Sequence, residues 1–161
     1  MLAAVTMSVQ DQGRIRTAAI QCLLPGERAW HMAKERPDRR RHALSVMAKL
    51  PLTVTIYRSR ITPQDRGEEQ ARRRCFGALV QDMSGLGPCP LLIESRDDHL
   101  DHRDRRTLQA LLTDHQLEVS YAHARHETEA LLWIADVYAW AGGASSDWRR
   151  RLHPSTRVVP V

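Results

Sequence analysis

The order of apolar and polar residues along the chain divides it into alternating strands and helices. Runs rich in β-branched residues or with period-two alternation predict strands, and apolar residues three and four apart predict helices. The predicted strands cover residues 2–9, 52–60, 91–94 and 117–124, with RVVPV at 157–161 as a short terminal strand. The predicted helices cover residues 11–24, 68–83, 104–115 and 127–140. One further predicted helix presents an apolar face made of Ala43, Leu44, Met47 and Leu50. This alternation predicts an α/β domain with a mixed sheet.

Length and composition limit the classes of protein that fit this pattern. The chain has 161 residues, 42% hydrophobic and 27% charged, which fits a single domain over residues 1–161 and excludes a disordered chain. Its three cysteines form no C-x-x-C pair and no apolar run approaches the length of a membrane span. We therefore expect a cytoplasmic protein without a membrane partner. The net charge of +5 permits a nucleic-acid partner without requiring one.

Familiar catalytic loops are missing from the sequence. It has no Walker-type phosphate loop and no G-x-G-x-x-G, G-x-S-x-G or H-E-x-x-H motif, so nucleotide hydrolases, Rossmann oxidoreductases, α/β-hydrolases and zincins lose their usual support. Arginine clusters at residues 39–41, 72–74 and 149–151 could line a path for phosphate groups, although such clusters are more often solvated faces. The candidate chemistry therefore depends on acidic residues and histidines.

Asp136 is the most informative of these residues. On the predicted helix its neighbours three and four positions away are apolar or aromatic: Leu132, Trp133, Ala139 and Trp140. A carboxylate on such a face needs a cation, a metal ion or a hydrogen-bond donor, because burying it unpaired is costly. Glu129 lies two turns earlier on the same face, about 10 Å along the axis. The alternative for Asp136 is a bond to an arginine or to a loop.

Glu94 is the second candidate, because it ends an apolar strand. In open α/β sheets ligands gather beyond the carboxyl ends of the strands. A strand-end carboxylate and a helix carboxylate at the same edge can bind one Mg²⁺ or Mn²⁺. We therefore predict that Glu94 and Asp136 are metal ligands, with a salt bridge to Arg96 as the alternative for Glu94.

Two further clusters contain candidate ligands. Residues 97–104 read DDHLDHRD, in which Asp101 is the best candidate for an additional ligand; the alternative is a solvated loop followed by an acidic first helical turn. Residues 123–129 read HARHETE, and His123 and His126 at this spacing could bind zinc, although no cysteine or third histidine stands at a familiar distance.

These segments resemble a group of uncharacterised bacterial proteins with a ribonuclease H-like fold. The resemblance rests on EALLWIADVYAWAGG at residues 129–143, on LLIESR at 91–96 followed by Asp101 and Asp104, and on Trp30-His31. It implies a ribonuclease H-like mixed sheet flanked by helices, with Glu94 as the strand-end acid and Asp136 as the acid of the last helix. Members usually open with a strand carrying Asp-Glu-Ser, so the resemblance also implies that this N-terminal strand, and one metal ligand with it, is missing here.

The function expected from the resemblance is metal-dependent hydrolysis of phosphodiester bonds in nucleic acid. Glu94 and Asp136 would hold Mg²⁺ or Mn²⁺, Asp101 or Glu129 would assist, and nearby arginines would steady the phosphate. The main alternative is a non-catalytic module of the same fold that binds nucleic acid or protein. A third hypothesis is a zinc protein that uses His123 and His126.

Overall fold

The computed structural model describes residues 1–161 except positions 62, 64, 66 and 88. Within this part of the chain the fold is α/β, with six α-helices, a mixed three-stranded sheet and a small parallel sheet, so the predicted class is confirmed. The strands are β1 (Leu2–Met7), β2 (Leu52–Arg58), β3 (Leu91–Glu94), β4 (Tyr121–Ala124) and β5 (Arg157–Pro160). The helices are α1 (Gln12–Ile20), α2 (Pro37–Met47), α3 (Glu68–Met83), α4 (Asp98–Asp114), α5 (Ala130–Gly143) and α6 (Ser146–Arg149).

Strand pairing gives two sheets. The three-stranded sheet has the order β1-β2-β5. In the second sheet β3 pairs with β4 in parallel, with Ile93 opposite His123 and Glu94 opposite Ala124. The terminal strand predicted from RVVPV is confirmed as β5, whereas α6 has no counterpart among the predicted elements.

Local signals explain where several helices begin. Pro37 opens α2, where its missing N–H costs no helical hydrogen bond. The first residue of α4 is Asp98, six positions before the predicted start, because the Asp97 carboxylate accepts the Leu100 N–H and caps the helix. The segment predicted as a loop with an acidic first turn is therefore already helical at Asp101 and Asp104.

The chain divides into two compact units. Unit 1 contains residues 1–2, 57–125 and 159–161, and unit 2 contains residues 3–56 and 126–158. The expectation of one domain over residues 1–161 stays a prediction. Within the described residues, no helix has the length and apolar character that crossing a bilayer requires.

Unit 2 is built around α5, which is apolar on nearly all sides and is therefore buried. It packs against α1, α2, α6 and a 3₁₀ turn at Met32–Lys34. The largest fully buried side chains here include Trp30, Leu44 and Tyr138.

Unit 1 is built from α3, α4 and the β3–β4 pair. Helices α3 and α4 pack against each other, and Phe76, Val80 and Leu108 are buried in this unit. The buried face of α4 also contains two carboxylates, Asp101 and Asp104. Buried acids on a core-facing stripe are unusual and single out this helix as a candidate site.

Candidate metal-binding groups

Histidine and carboxylate side chains come together in each unit. The unit 2 group consists of His31, His126 and Asp136, and the unit 1 group consists of Asp101, Asp104 and His123. In each group one potential ligand atom from every residue lies within 4.8 Å of the others. Imidazole nitrogen and carboxylate oxygen are common metal ligands, so both sets have donor types suited to a divalent cation.

The unit 2 group is assembled around the backbone of residues 30–32. Asp136, half-buried on α5, accepts the Met32 N–H through Oδ2 at 2.8 Å. On the other side of the same residue, the Arg40 Nε donates to the Met32 carbonyl at 3.0 Å. These two bonds fix the segment that carries His31 beside α5.

The ring of His126 is held by stacking on one face and by a hydrogen bond at one ring nitrogen. It is 5% exposed and stacks on the His31 ring, with centroids 4.1 Å apart and planes 10° from parallel. Its Nε2 lies 2.5 Å from the Trp30 carbonyl oxygen. Since a carbonyl only accepts, Nε2 carries the proton, and in the neutral ring the lone pair is on Nδ1. A ring nitrogen bonded to a backbone carbonyl is typical of metal-ligating histidines, because it fixes both tautomer and orientation.

The backbone that carries His126 is fixed as well. The indole Nε1 of Trp133 on α5 donates to the His126 carbonyl at 2.6 Å. His126 lies in a 3₁₀ turn at His126–Thr128 immediately before α5. The same helix therefore supplies Asp136 directly and positions His126 through Trp133.

In unit 1, Asp101 and Asp104 continue the apolar stripe of α4 toward its N-terminus. Leu108 and Leu112 are buried, and Asp104 and Asp101 lie four and seven residues before Leu108, so the helical period brings all four to one face. The exposed fractions of the two aspartates are 4% for Asp101 and 2% for Asp104.

Hydrogen bonds satisfy much of the capacity of both carboxylates. Asp101 accepts the Ser95 hydroxyl at 2.5 Å and the Arg96 N–H at 2.9 Å. Burial acts to raise the pKa of Asp101, but these two bonds and the electrostatic effect of His123 outweigh it and hold the pKa below its ordinary value. Asp104 accepts the Arg72 side chain, with a shortest N–O distance of 2.7 Å, and Arg96 Nη2 at 2.8 Å. Asp101 is therefore stabilised as a carboxylate, and Asp104 is paired with two guanidinium groups.

His123 completes the unit 1 group. Its side chain is 4% exposed, and within the described part of the chain neither ring nitrogen has a hydrogen-bond partner. Its Nε2 is 3.8 Å from Asp104 Oδ2 and 4.0 Å from Asp101 Oδ1, which is beyond hydrogen-bonding distance. Asp101, Asp104 and His123 thus form a buried group that could hold a metal ion.

The four residues predicted as ligands or catalytic groups have different surroundings. Asp136 belongs to the unit 2 group and Asp101 to the unit 1 group, and among the described residues neither group includes Glu94 or Glu129. Glu94 is exposed at the end of β3, and by the alternation of the strand it faces away from the side on which Ile93 and its partner His123 lie. Glu94 is in unit 1 and Asp136 in unit 2.

Glu129 has two structural contacts. It is the N-cap of α5 and accepts the Leu131 N–H at 3.0 Å, and its carboxylate also pairs with the Arg16 guanidinium at 3.0 and 3.1 Å. Burial acts to raise the pKa of Glu129, but Arg16 and the Leu131 N–H outweigh it and hold the pKa below its ordinary value. These contacts give Glu129 a role in ordering the start of α5.

Several guanidinium groups of the predicted arginine clusters are engaged inside the protein. Arg39 forms ion pairs with Glu27 and Glu35, and Arg72 forms one with Asp104. Such arginines contribute to folding and are not available as a continuous path for phosphate.

Sequence reasoning did not select His31 or Asp104 as ligands. Asp104 could have been found by extending the period of Leu108 and Leu112 one further turn toward the N-terminus. For His31 the sequence offers only the Trp30-His31 pair of the resemblance, since the hydrogen bond that ties its neighbour Met32 to Asp136 spans 104 residues.

Comparisons with protein-family models, with curated proteins and with solved structures give no match for this chain.

Proposed function

We propose that the protein hydrolyses phosphodiester bonds of nucleic acid with the help of a divalent cation bound by His31, His126 and Asp136. The observation that carries the proposal is that two imidazoles and one carboxylate lie with potential ligand atoms within 4.8 Å of one another. Hydrogen bonds orient Asp136 and His126, and the His31 ring stacks on that of His126. Asp136 is also the helix acid expected from the resemblance to ribonuclease H-like proteins, and that finer fold assignment is part of the proposal.

The donor set bears on the choice of cation. Mg²⁺ prefers oxygen ligands alone, whereas Mn²⁺ accepts both carboxylate and imidazole. Of the two expected cations, Mn²⁺ is therefore the one we propose. When bound, such a cation lowers the pKa of a water molecule and stabilises the charge that develops on the phosphate.

The residues of the chain have separate tasks in this scheme. Asp136 supplies the negative charge of the site, and its bond to Met32 keeps the carboxylate oriented. The Trp30 carbonyl keeps the proton of His126 on Nε2 and thereby directs Nδ1 as the ligand atom. His31 and Asp136 are only half-buried, which leaves an approach for a large substrate. Catalytic roles for Glu94 and Asp101, and metal-ligand roles for Glu94 and Glu129, stay predictions.

Asp136→Asn tests the proposal with little disturbance of the fold. The asparagine amide oxygen can still accept the Met32 N–H, whereas the charge that would bind the cation is lost. The assay follows cleavage of fluorescent single-stranded and duplex DNA and RNA by chelator-treated protein, with Mn²⁺, Mg²⁺ or Zn²⁺ added. We expect cleavage that is greatest with Mn²⁺ and that falls by at least about 100-fold in the variant, since even changes in groups that only orient metal ligands cost 10- to 100-fold.

Asp38→Asn is the matched control, because Asp38 is an exposed acid in the same unit. Its activity should stay within about twofold of the wild-type value. Equal cleavage by wild type and Asp136→Asn would contradict the site. Binding of nucleic acid without cleavage under any of the three cations would favour the non-catalytic module.

A further inference from the structure

The unit 1 group has a feature that hydrogen bonding within the protein does not account for. His123 is almost completely buried, yet both of its ring nitrogens lack a hydrogen-bond partner among the described residues. Buried polar atoms are nearly always satisfied, because desolvation without a new partner is costly. A buried imidazole in this state calls for a ligand that the protein itself does not supply.

The surroundings of His123 identify the chemistry of that ligand. Its Nε2 faces Asp104 Oδ2 at 3.8 Å and Asp101 Oδ1 at 4.0 Å. A hydrogen bond would bring these atoms to about 2.7–3.2 Å. Two ligands bound at about 2.1 Å to one ion with tetrahedral angles are about 3.4 Å apart, so inward movements of about half an ångström would bring His123 and each carboxylate to the spacing of ligands on one ion.

The carboxylates have capacity left for an ion. A carboxylate offers about four lone-pair positions. The described contacts of Asp101 are donors from Ser95 and Arg96, one on each oxygen. Asp104 accepts three N–H donors: Arg72 Nε, shared between both oxygens, Arg72 Nη2 on Oδ2 and Arg96 Nη2 on Oδ1. Against about four lone-pair positions, these donors leave two positions on Asp101 and one on Asp104, and they orient the acids as the outer partners of metal ligands usually do.

We infer that Asp101, Asp104 and His123 bind a divalent transition-metal ion with a structural role in unit 1. An imidazole ligand disfavours Mg²⁺ and Ca²⁺, and two carboxylates disfavour soft ions such as Cu⁺, so Mn²⁺ and Zn²⁺ are the ions that fit. The ion would join β4, which carries His123, to α4, which carries both aspartates. This site uses none of the residues of the unit 2 group and is independent of the proposed function.

The test uses full-length protein carrying Asp136→Asn, so that binding at the unit 2 group is suppressed. Metal-free protein is titrated with Zn²⁺ by calorimetry and, in a separate arm, with Mn²⁺ by electron paramagnetic resonance. We expect one equivalent of either ion to bind and the thermal unfolding temperature to rise with it. Adding Asp101→Asn or His123→Gln should weaken binding by at least about 100-fold.

His102→Asn is the matched control, because His102 is an exposed histidine of the same helix as the two aspartates. Its metal affinity should equal that of the Asp136→Asn parent. Asp101→Asn should preserve the fold, since the amide can still accept the Arg96 N–H and bond to Ser95; circular dichroism verifies this. X-ray absorption of the zinc-loaded parent gives a readout without a variant in the group, with one imidazole expected among oxygen ligands.

Three results would overturn the inference: no binding of either ion by the parent, binding that Asp101→Asn and His123→Gln leave unchanged, or a zinc environment without imidazole. Loss of cleavage in Asp136→Asn with retention of this metal equivalent separates the two sites. Failure of the proposed function would leave the outcome of this titration unaffected.

Discussion

The contacts of Glu129 lead to a prediction that separates a structural role from a metal-binding one. If Glu129 were a metal ligand, its removal would abolish cation binding and would change the free energy of unfolding little. The structure instead gives it the N-cap of α5 and an ion pair with Arg16. We therefore expect Glu129→Ala to destabilise the protein while Mn²⁺ binding at His31, His126 and Asp136 persists.

The size of the effect follows from the two contacts. Loss of an N-cap hydrogen bond costs about 1 kcal/mol. The side chains of Arg16 and Glu129 are 39% and 20% exposed, so solvent screens their attraction and the pair contributes about 0.2–1 kcal/mol. The sum is about 1–2 kcal/mol, which corresponds to a fall in unfolding temperature of about 3–6 °C for a chain of this size. Glu129→Gln keeps an acceptor for the Leu131 N–H and should lose only the smaller, ionic part.

The dependence on pH gives the same prediction a second measurement. Because the folded protein holds the pKa of Glu129 below its ordinary value, the ionised group stabilises the fold above about pH 4.5, and this contribution is lost as the pH falls through the lowered pKa. The stability difference between wild type and Glu129→Gln should therefore shrink on acidification.

Urea unfolding at several pH values measures these stabilities, and calorimetric titration with Mn²⁺ measures binding. Glu127→Ala is the matched control, since Glu127 is an exposed acid two residues away. Unchanged stability of Glu129→Ala together with lost Mn²⁺ binding would falsify the structural role and support Glu129 as a metal ligand.

Two further predictions concern buried and charged groups of unit 2. The buried Tyr138 hydroxyl has no hydrogen-bond partner among the residues that the structure describes, and burial raises the pKa of Tyr138 above its ordinary value. Tyr138→Phe should therefore leave the free energy of unfolding in urea unchanged or raise it by up to about 2 kcal/mol, and a loss above about 1 kcal/mol would contradict the unsatisfied hydroxyl. Bonds from Arg39 and then from the Leu24 N–H lower the pKa of Glu27 from 4.5 to about 2, so its ionised form stabilises the fold above pH 4.5 and this effect is lost as the pH falls toward 2. Thermal unfolding should find Glu27→Gln less stable than wild type at pH 7 and nearly equal to it near pH 2; a difference independent of pH would refute the assignment.

Hydrophobic periodicity predicted the alternation of strands and helices. The ranges that it predicted for α3 and β3 agree with the structure. It placed the start of α4 too late because the first core-facing positions of that helix are Asp101 and Asp104. A reading based on apolar residues cannot recognise a stripe that begins with acids. The Asp97 cap was the local signal that could have corrected it.

A candidate site residue could be predicted only where it differs from its neighbours within a single helix or sequence cluster. Asp136 could be selected because its helix is otherwise apolar, and Asp101 because it lies in an acidic cluster. The partners of Asp136 come from distant segments, since the bond to Met32 spans 104 residues and the bond that fixes His126 on the Trp30 carbonyl spans 96. Packing of residues 30–32 beside α5 creates the unit 2 group, and no spacing in the sequence encodes that packing.

The histidines at positions 123 and 126 show that a short spacing in the sequence does not ensure that two side chains share a metal site. Three residues apart, they could share a zinc ion, which is the third hypothesis from the sequence. In the structure His123 lies on β4 with its ring in the unit 1 group, and His126 lies in the turn before α5 with its ring in the unit 2 group. One group offers one imidazole and two carboxylates, and the other offers two imidazoles and one carboxylate. Because imidazole favours Zn²⁺ more strongly than Mn²⁺, the preference for zinc should be greater at His31, His126 and Asp136 than at Asp101, Asp104 and His123. Competition between the two ions in the Asp136→Asn and Asp101→Asn variants measures that order directly, and the reverse order would mean that geometry outweighs donor type.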